Sequence, residues 1–245
     1  MLYLGLIIAT AFTSLVSGLL SMAGGMILMG IFGLLLSIPT AMVLHGIAQA
    51  VSNGSRIWLH RSHIRWGVLM PYSLGSLVVL VVFIAVTLIP NKGLVFFLIG
   101  LFPFVAFMIP SHLNLDIEQP QIAFICGILV TTAQMLAGAS GPVLDIFYVQ
   151  SKLTRYEILG TKAITQTLGH LIKLGYYGLF LGMGTEQLPL WLIAAVIVAA
   201  LGGNWLAKLA IDRLDDTIFR RVGRIAILLV GTAYLAKAGQ EWGFY

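Results

Sequence analysis

Long apolar stretches separated by short polar links extend from one end of the chain to the other. In the first half, Leu2–Leu20, Gly67–Ile89 and Gly93–Ile109 are apolar. In the second half, Leu188–Ala207 and Val222–Ala238 continue the pattern. A helix that crosses a membrane needs about 20 mostly apolar residues. The pattern therefore predicts an all-α, polytopic membrane protein with no sizeable soluble domain.

Two short runs of small residues, Ser21–Gly25 and Gly138–Pro142, interrupt apolar stretches. Each run predicts a broken or re-entrant helix, because glycine lets the backbone bend and approach a ligand closely. Helix N-termini at such breaks would offer free N–H groups to an anion. The alternative is close packing between neighbouring helices. We select as candidate substrate-binding residues Ser21, Gly24, Gly25, Ser140 and Gly141.

Two polar stripes occur on predicted helices. The first consists of His45, Gln49, Asn53 and Arg56, and the second of Lys162, Gln166, His170 and Lys173. Spacings of four, four and three residues place each set on one face of a helix. Lysine and histidine are costly inside a bilayer, so such a face indicates an interior position. We predict that the two helices face each other across a polar, anion-accepting centre.

A single ungapped offset of 117 residues relates the two stripes. The same offset places Gly24 on Gly141 and Ser37 on Thr154. It aligns both small-residue runs and both stripes at once. We interpret this agreement as an internal duplication.

The duplication predicts a first transmembrane repeat at 1–110, a linker at 111–120 and a second repeat at 121–245. A basic loop follows the polar helix directly in the first half, but in the second half it comes one span later, at Lys208–Arg224. If lysine and arginine mark cytoplasmic loops in both halves, the repeats have opposite orientations. Inverted repeats with broken helices are a recurring plan in transporters, with the ligand near the membrane midplane.

The stripes supply further candidate substrate-binding residues. Lys162 could contact an anion directly, or it could reach the interface or pair with Glu157. His45 could be a donor, a proton carrier or a hydrogen-bonded packing residue. Gln49 and Gln166 suit an oxyanion, although each could instead bond a neighbouring helix.

The other stripe residues are assigned in the same way. Asn53 and His170 are candidates with the same alternatives. Arg56 and Lys173 lie near predicted helix ends, so we interpret them mainly as interfacial anchors, with gating of an anion entrance as the alternative. Asp145 follows the second small-residue run. Its carboxylate could simply be stabilised by the helix dipole, or it could serve with His45 as a proton-coupling site.

Composition narrows the function classes. Of 245 residues, 59% are hydrophobic and 9% charged, with a mean hydropathy of +0.99. The net charge of +5 is concentrated beside the predicted spans, which argues against a nucleic-acid partner. The lone Cys126 excludes an internal disulfide and a cysteine metal cluster. Neither a phosphate-binding loop nor a hydrolase motif is present, so we expect no enzyme activity, cofactor or metal.

A glycine-containing break in the first helix, a later helix that begins near Pro39, and a degenerate second copy resemble the sulfite exporter TauE/SafE family. The resemblance implies about eight transmembrane segments, with the two glycine-broken regions as re-entrant elements among them. It also implies a multi-pass protein of the bacterial inner membrane. Export is favoured over import by the resemblance alone.

We therefore expect a secondary active transporter of sulfite, sulfonates, sulfoacetate or related small organic anions, working by alternating access. Its partners would be the anion and the lipid bilayer, and the sequence leaves proton coupling and a homo-oligomer open. The alternatives are a passive anion channel, which needs a continuous polar path, and a membrane scaffold or assembly protein, in which the stripes only bind other helices.

Overall fold

The computed structural model describes residues 1–20, 23–110, 113, 115–148, 151–183, 188–210 and 216–244. The described residues form α-helices and no strand. The helices are α1 (Leu2–Leu20), α2 (Ala23–Leu35), α3 (Ile38–Leu59), α4 (Trp66–Val86), α5 (Lys92–Met108), α6 (Pro120–Ala137), α7 (Gly141–Ile146), α8 (Arg155–Leu174), α9 (Leu190–Ala210) and α10 (Asp216–Glu241). A 3₁₀ turn, Arg61–His63, follows α3, and a π-helical turn, Gly175–Phe180, continues α8.

Four helices of the described chain are long and apolar enough to cross a membrane: α1, α4, α6 and α9. Helices α2 and α5 are apolar but shorter. Helices α3, α8 and α10 reach 22, 20 and 26 residues but carry polar or charged positions. The total of about eight crossings therefore stays a prediction.

The second predicted helix interruption is confirmed, whereas the first falls on residues 21 and 22, which lie outside the described part of the chain. Helix α1 ends at Leu20 and α2 begins at Ala23, while α6 ends at Ala137 and α7 begins at Gly141. Gly138 closes α6 with a φ of 75°, a left-handed conformation that glycine adopts without strain. The second apolar stretch is thus divided into a long helix and a shorter one, and in the first half α2 packs against α1.

The two helices that carry the polar stripes begin with local caps. Ser37 accepts a hydrogen bond from the Thr40 amide at 3.4 Å, with Pro39 in the first turn of α3. At α8, Thr154 and Glu157 form a capping box. The Thr154 side chain accepts from the Glu157 amide, and the Glu157 carboxylate accepts from the Thr154 amide at 2.8 Å.

Helix packing brings the two halves of the chain together. Helix α1 packs mainly on α9, α4 on α6, α5 on α10, and α3 on α8. A large apolar core gathers residues of both halves, including Phe32, Phe96 and Tyr177. A smaller one lies between α4, α6 and α7, around Tyr72 and Cys126. The α3–α8 pair, with its polar stripes, lies inside this apolar framework.

The loop after α3 is fixed to the start of α8 by polar contacts. The Arg65 guanidinium pairs with Glu118 at 2.8 Å and with Glu157 at 3.4 Å. The Arg65 backbone amide donates to the Thr161 hydroxyl at 3.0 Å. These bonds connect the first half to the segment before α6 and to the N-terminal end of α8.

Candidate functional site

A polar cavity lies between α1, α2, α3, the α6–α7 connection and α8. The space open to the centre of a water molecule is about 20 Å³, about enough for one water. Its lining is Ser17, Gly25, Met26, His45, Gln49, Arg56, Gln134, Ala139, Ser140, Gly141, Gln166 and His170. The α3 and α8 stripes thus meet at one small cavity, as their helical spacing predicted.

His45 is fully buried and connects the α3 stripe to the N-terminal turn of α2. One ring nitrogen, Nε2, lies 2.8 Å from the Gly25 carbonyl oxygen, and Nδ1 lies 2.8 Å from the ammonium nitrogen of Lys173. A carbonyl can only accept, so Nε2 carries the proton and donates to Gly25. Nδ1 then accepts from Lys173. The His45 side chain is therefore a neutral imidazole in a fixed orientation.

Arg56 places a guanidinium at the cavity with only neutral partners. It donates to the Asn53 side-chain oxygen and, at 3.4 Å, to the Ser17 carbonyl oxygen. Its Nε–H is buried without a hydrogen-bond partner. Within the described chain, no carboxylate pairs with Arg56. Among the described lining residues, Arg56 is the one charged side chain, so this part of the cavity has a positive wall and no acidic one.

The α8 side of the cavity is a chain of neutral hydrogen bonds. The Ser140 hydroxyl donates to the Gln134 side-chain oxygen at 2.7 Å. The Gln134 amide nitrogen in turn donates to Nδ1 of His170 at 2.6 Å. The proton of the His170 imidazole is then on Nε2. The His170 and His45 rings meet edge to face, with centroids 5.4 Å apart.

Two glutamines retain unused bonding capacity. The side-chain nitrogen of Gln49 and the side-chain oxygen of Gln166 are buried and have no hydrogen-bond partner. Buried polar groups normally have partners, so unpaired ones need an explanation. Because both glutamines line the cavity, a ligand that binds there would explain their unpaired atoms.

Lys162 lies outside the cavity lining. Its ammonium group forms a buried ion pair with the Asp145 carboxylate, joining α8 to α7. The pairing partner is Asp145 rather than Glu157, which caps the helix. Asp145, which lies 17 residues before Lys162 in the sequence, thereby neutralises the charge of Lys162.

Lys173 also differs from its predicted position. Its side chain is fully buried, so its interpretation as an interfacial anchor is wrong. The ammonium group donates to Nδ1 of His45 and to the Gly138 carbonyl oxygen, each at 2.8 Å. Arg56 is similarly buried, with 8% of its surface exposed, and is not an interfacial anchor either.

The predicted substrate-binding residues fall into three groups. Those that line the cavity are Gly25, His45, Gln49, Ser140, Gly141, Gln166 and His170. Gly24, Asn53 and Lys162 lie beside the lining. Gly24 packs on α1, where an added Cβ would collide with the Thr13 carbonyl oxygen, and Asn53 accepts a hydrogen bond from Arg56. Ser21 lies outside the described residues.

Sequence reasoning missed Ser17 and Gln134, which both line the cavity. They are themselves related by the offset of 117 residues, and each lies a few positions before a small-residue run. A search for polar residues shared by both copies at this position would have found them. Among the described residues, no cluster of three or more histidine, cysteine, aspartate or glutamate side chains could hold a metal ion.

The family model of the sulfite exporter TauE/SafE matches residues 6–234, nearly the whole chain. The chain belongs to the TauE/SafE family. No curated protein and no solved structure shows a significant match to it. Membership of TauE/SafE, together with the apolar helices, makes this a multi-pass membrane transporter of a family whose members move sulfur-containing anions such as sulfite. The cavity is thus the candidate anion site of a TauE/SafE protein.

Proposed function

We propose that the chain is a secondary active exporter of sulfite or a related sulfonate, and that the central cavity is its substrate site. The observation that carries the proposal is the charge of the lining, in which Arg56 is uncompensated and no carboxylate occurs. A buried guanidinium without a counter-charge is costly, and a bound anion removes that cost. Charge-assisted bonds from arginine to oxyanions are among the strongest available.

The neutral groups of the cavity suit an oxyanion as well. The unpaired Nε–H of Arg56 and the unpaired side-chain amide of Gln49 are donors without acceptors. Nε2–H of His170 is a further donor on the opposite side of the cavity. Several donors around one positive charge would bind the oxygen atoms of a sulfite or sulfonate group. These donors do not specify the organic group that a sulfonate carries.

The size of the cavity supports a carrier over a passive channel. A space of about 20 Å³ holds about one water, whereas sulfite has a sulfur atom and three oxygen atoms. Substrate entry then requires the surrounding helices to separate. Alternating access supplies such a movement, while a channel requires a continuous polar path.

The helix contacts are those that two related halves would make. Under the offset of 117 residues, α1 corresponds to α6 and α9 to α4, and the α1–α9 contact matches the α4–α6 contact. The α3–α8 and α5–α10 contacts each pair a helix with its own counterpart. A pseudo-twofold axis through the α3–α8 contact would place the cavity between two inverted repeats.

The test is transport by the purified protein in liposomes. We expect uptake of labelled sulfite or sulfoacetate, and counterflow when unlabelled substrate is present on the other side. Arg56→Met should reduce apparent affinity roughly 10–100-fold, since a hydrogen bond to a charged group contributes about 1.5–3 kcal/mol. Arg61→Met is the matched control, because Arg61 is exposed, its hydrogen bond and ring contact are with Trp58, and it is not among the described residues that line the cavity.

Three outcomes would contradict the proposal. Flux without counterflow would identify a channel. If no tested anion is transported and the chain instead binds other membrane proteins through its helices, the protein is a scaffold. Equal transport by Arg56→Met and Arg61→Met would remove the cavity as the substrate site.

A further inference from the structure

Lys173 is a buried cation that the cavity does not explain. Its side chain is fully buried on α8, and its ammonium nitrogen has two acceptors, Nδ1 of His45 and the Gly138 carbonyl oxygen. Both acceptors are neutral. Among the ion pairs of the described residues, none includes Lys173. Lys162, the other buried lysine of α8, has Asp145 as its counter-charge.

Among the described residues, no unpaired negative charge faces Lys173. The titratable groups that face this region are His45 and Arg56 on α3, His170 on α8, and Tyr176 and Tyr177 in the π-helical turn. Helix α2 carries no titratable residue. On α7, Asp145 is bound by Lys162. Every charge that can act on Lys173 in this region is therefore positive or already neutralised.

A buried ammonium group without a counter-charge is costly, and in proteins such a lysine commonly gives up its proton. A negative charge placed nearby reverses this preference. Lys173 lies one side chain away from the cavity, because its partner His45 lines the cavity directly. An anion in the cavity would therefore stabilise a proton on Lys173.

We propose that Lys173 is the proton-coupling residue of this protein: it takes up one proton when an anion enters the cavity and gives it up when the anion leaves. The inference rests on the proposed function, since it uses the cavity as the anion site. By linkage, the anion favours the proton as much as the proton favours the anion. Each transported anion would then be accompanied by one proton on Lys173.

The hydrogen bonds around His45 explain why the proton would remain on the lysine. Nδ1 of His45 is an acceptor in this arrangement, and Nε2–H is held by the Gly25 carbonyl oxygen at 2.8 Å. The imidazole thus orients the ammonium group without itself titrating. Asp145, the other proton-site candidate from sequence, is engaged with Lys162 and does not line the cavity.

The test counts protons at anion binding. Isothermal titration calorimetry on the purified protein, near neutral pH, is performed in two buffers that differ in ionisation enthalpy. The difference in apparent binding enthalpy gives the protons taken up per bound anion. The probes are sulfite and methanesulfonate, because methanesulfonate stays fully ionised and contributes no proton itself. We expect about one proton per anion for the wild-type protein.

Variants assign the proton to a residue. Lys173→Met and Lys173→Arg should both abolish proton uptake, the first by removing the titratable group and the second by keeping its charge. Lys173→Arg should still bind the anion. His45→Gln should retain proton uptake, because the glutamine oxygen can accept from Lys173 as Nδ1 does.

Two results would overturn the coupling alone. One is wild-type binding with the same enthalpy in both buffers. The other is unchanged proton uptake in Lys173→Arg together with its loss in His45→Gln, which would assign the proton to the imidazole. If the wild-type protein binds neither probe, the proposed function fails together with the coupling.

Discussion

The α3 and α8 stripes have the same spacing but differ in how their charges are satisfied. At the first position, neutral His45 on α3 corresponds to Lys162 on α8, which is neutralised by Asp145. At the last position, both stripes carry a buried basic side chain that no described carboxylate pairs with, Arg56 at the cavity and Lys173 behind His45. Equivalent positions therefore perform different tasks. One copy exposes its charge to the cavity, and the other keeps both of its charges behind the lining.

The largest expected effect on stability comes from the first position of the stripes. Breaking the buried Asp145–Lys162 pair by Asp145→Asn or Lys162→Met leaves one charge uncompensated, and each should cost roughly 3–5 kcal/mol of stability. The double variant should be more stable than either single one, since no lone charge remains. Thermal unfolding of the detergent-solubilised protein, followed by circular dichroism, measures this order.

Lys237→Met provides the control. The Lys237–Glu241 pair on α10 spans 3.0 Å but is more exposed, so its loss should cost less than about 1 kcal/mol. If the destabilisation of the double variant equals the sum of the two single destabilisations, Lys162 and Asp145 are not energetically coupled. In that case Lys162 would again be a candidate for direct contact with the anion.

Much of this arrangement could be predicted from sequence because it is local. Helical spacing determined which residues share a face, and small residues located the break before α7. The Thr154–Glu157 box is recognisable over four residues. Contacts between helices are different, since the Asp145–Lys162 pair depends on how the short α7 folds back on α8.

Helical spacing could not predict how deeply the side chains at the ends of the stripes are buried. Arg56 lies one turn from the end of α3, but long helical side chains point toward the helix N-terminus, and its guanidinium reaches the Ser17 carbonyl oxygen. Lys173 lies at the end of α8, yet the π-helical turn Gly175–Phe180 extends the helix beyond it. Both cations are therefore deeper than a count from the next loop implies.

A second test concerns the equivalent positions Ser17 and Gln134. Gln134→Leu removes the partner of both Ser140 and His170 and should weaken anion affinity about tenfold, since a buried polar group without its partner costs about 1–3 kcal/mol. Ser17→Ala should change affinity less than about twofold, because only its backbone carbonyl accepts from Arg56. The concentration dependence of liposome uptake measures both, and equal effects would contradict the assigned asymmetry.

The smallest expected difference lies at the N-terminal ends of α3 and α8. Thr154→Ala removes the hydroxyl of a complete capping box, whereas Ser37→Ala removes a backbone cap bond of 3.4 Å and a bond of 2.7 Å with the Thr40 hydroxyl. N-cap substitutions cost about 0.5–2 kcal/mol, and we expect Thr154→Ala near the upper end and Ser37→Ala near the lower. For a chain of this size, about 1 kcal/mol shifts the thermal midpoint by roughly 2–4 °C. A larger shift for Ser37→Ala would mean that Pro39 and helix packing do not hold the start of α3, and that its stripe depends on the cap more than that of α8.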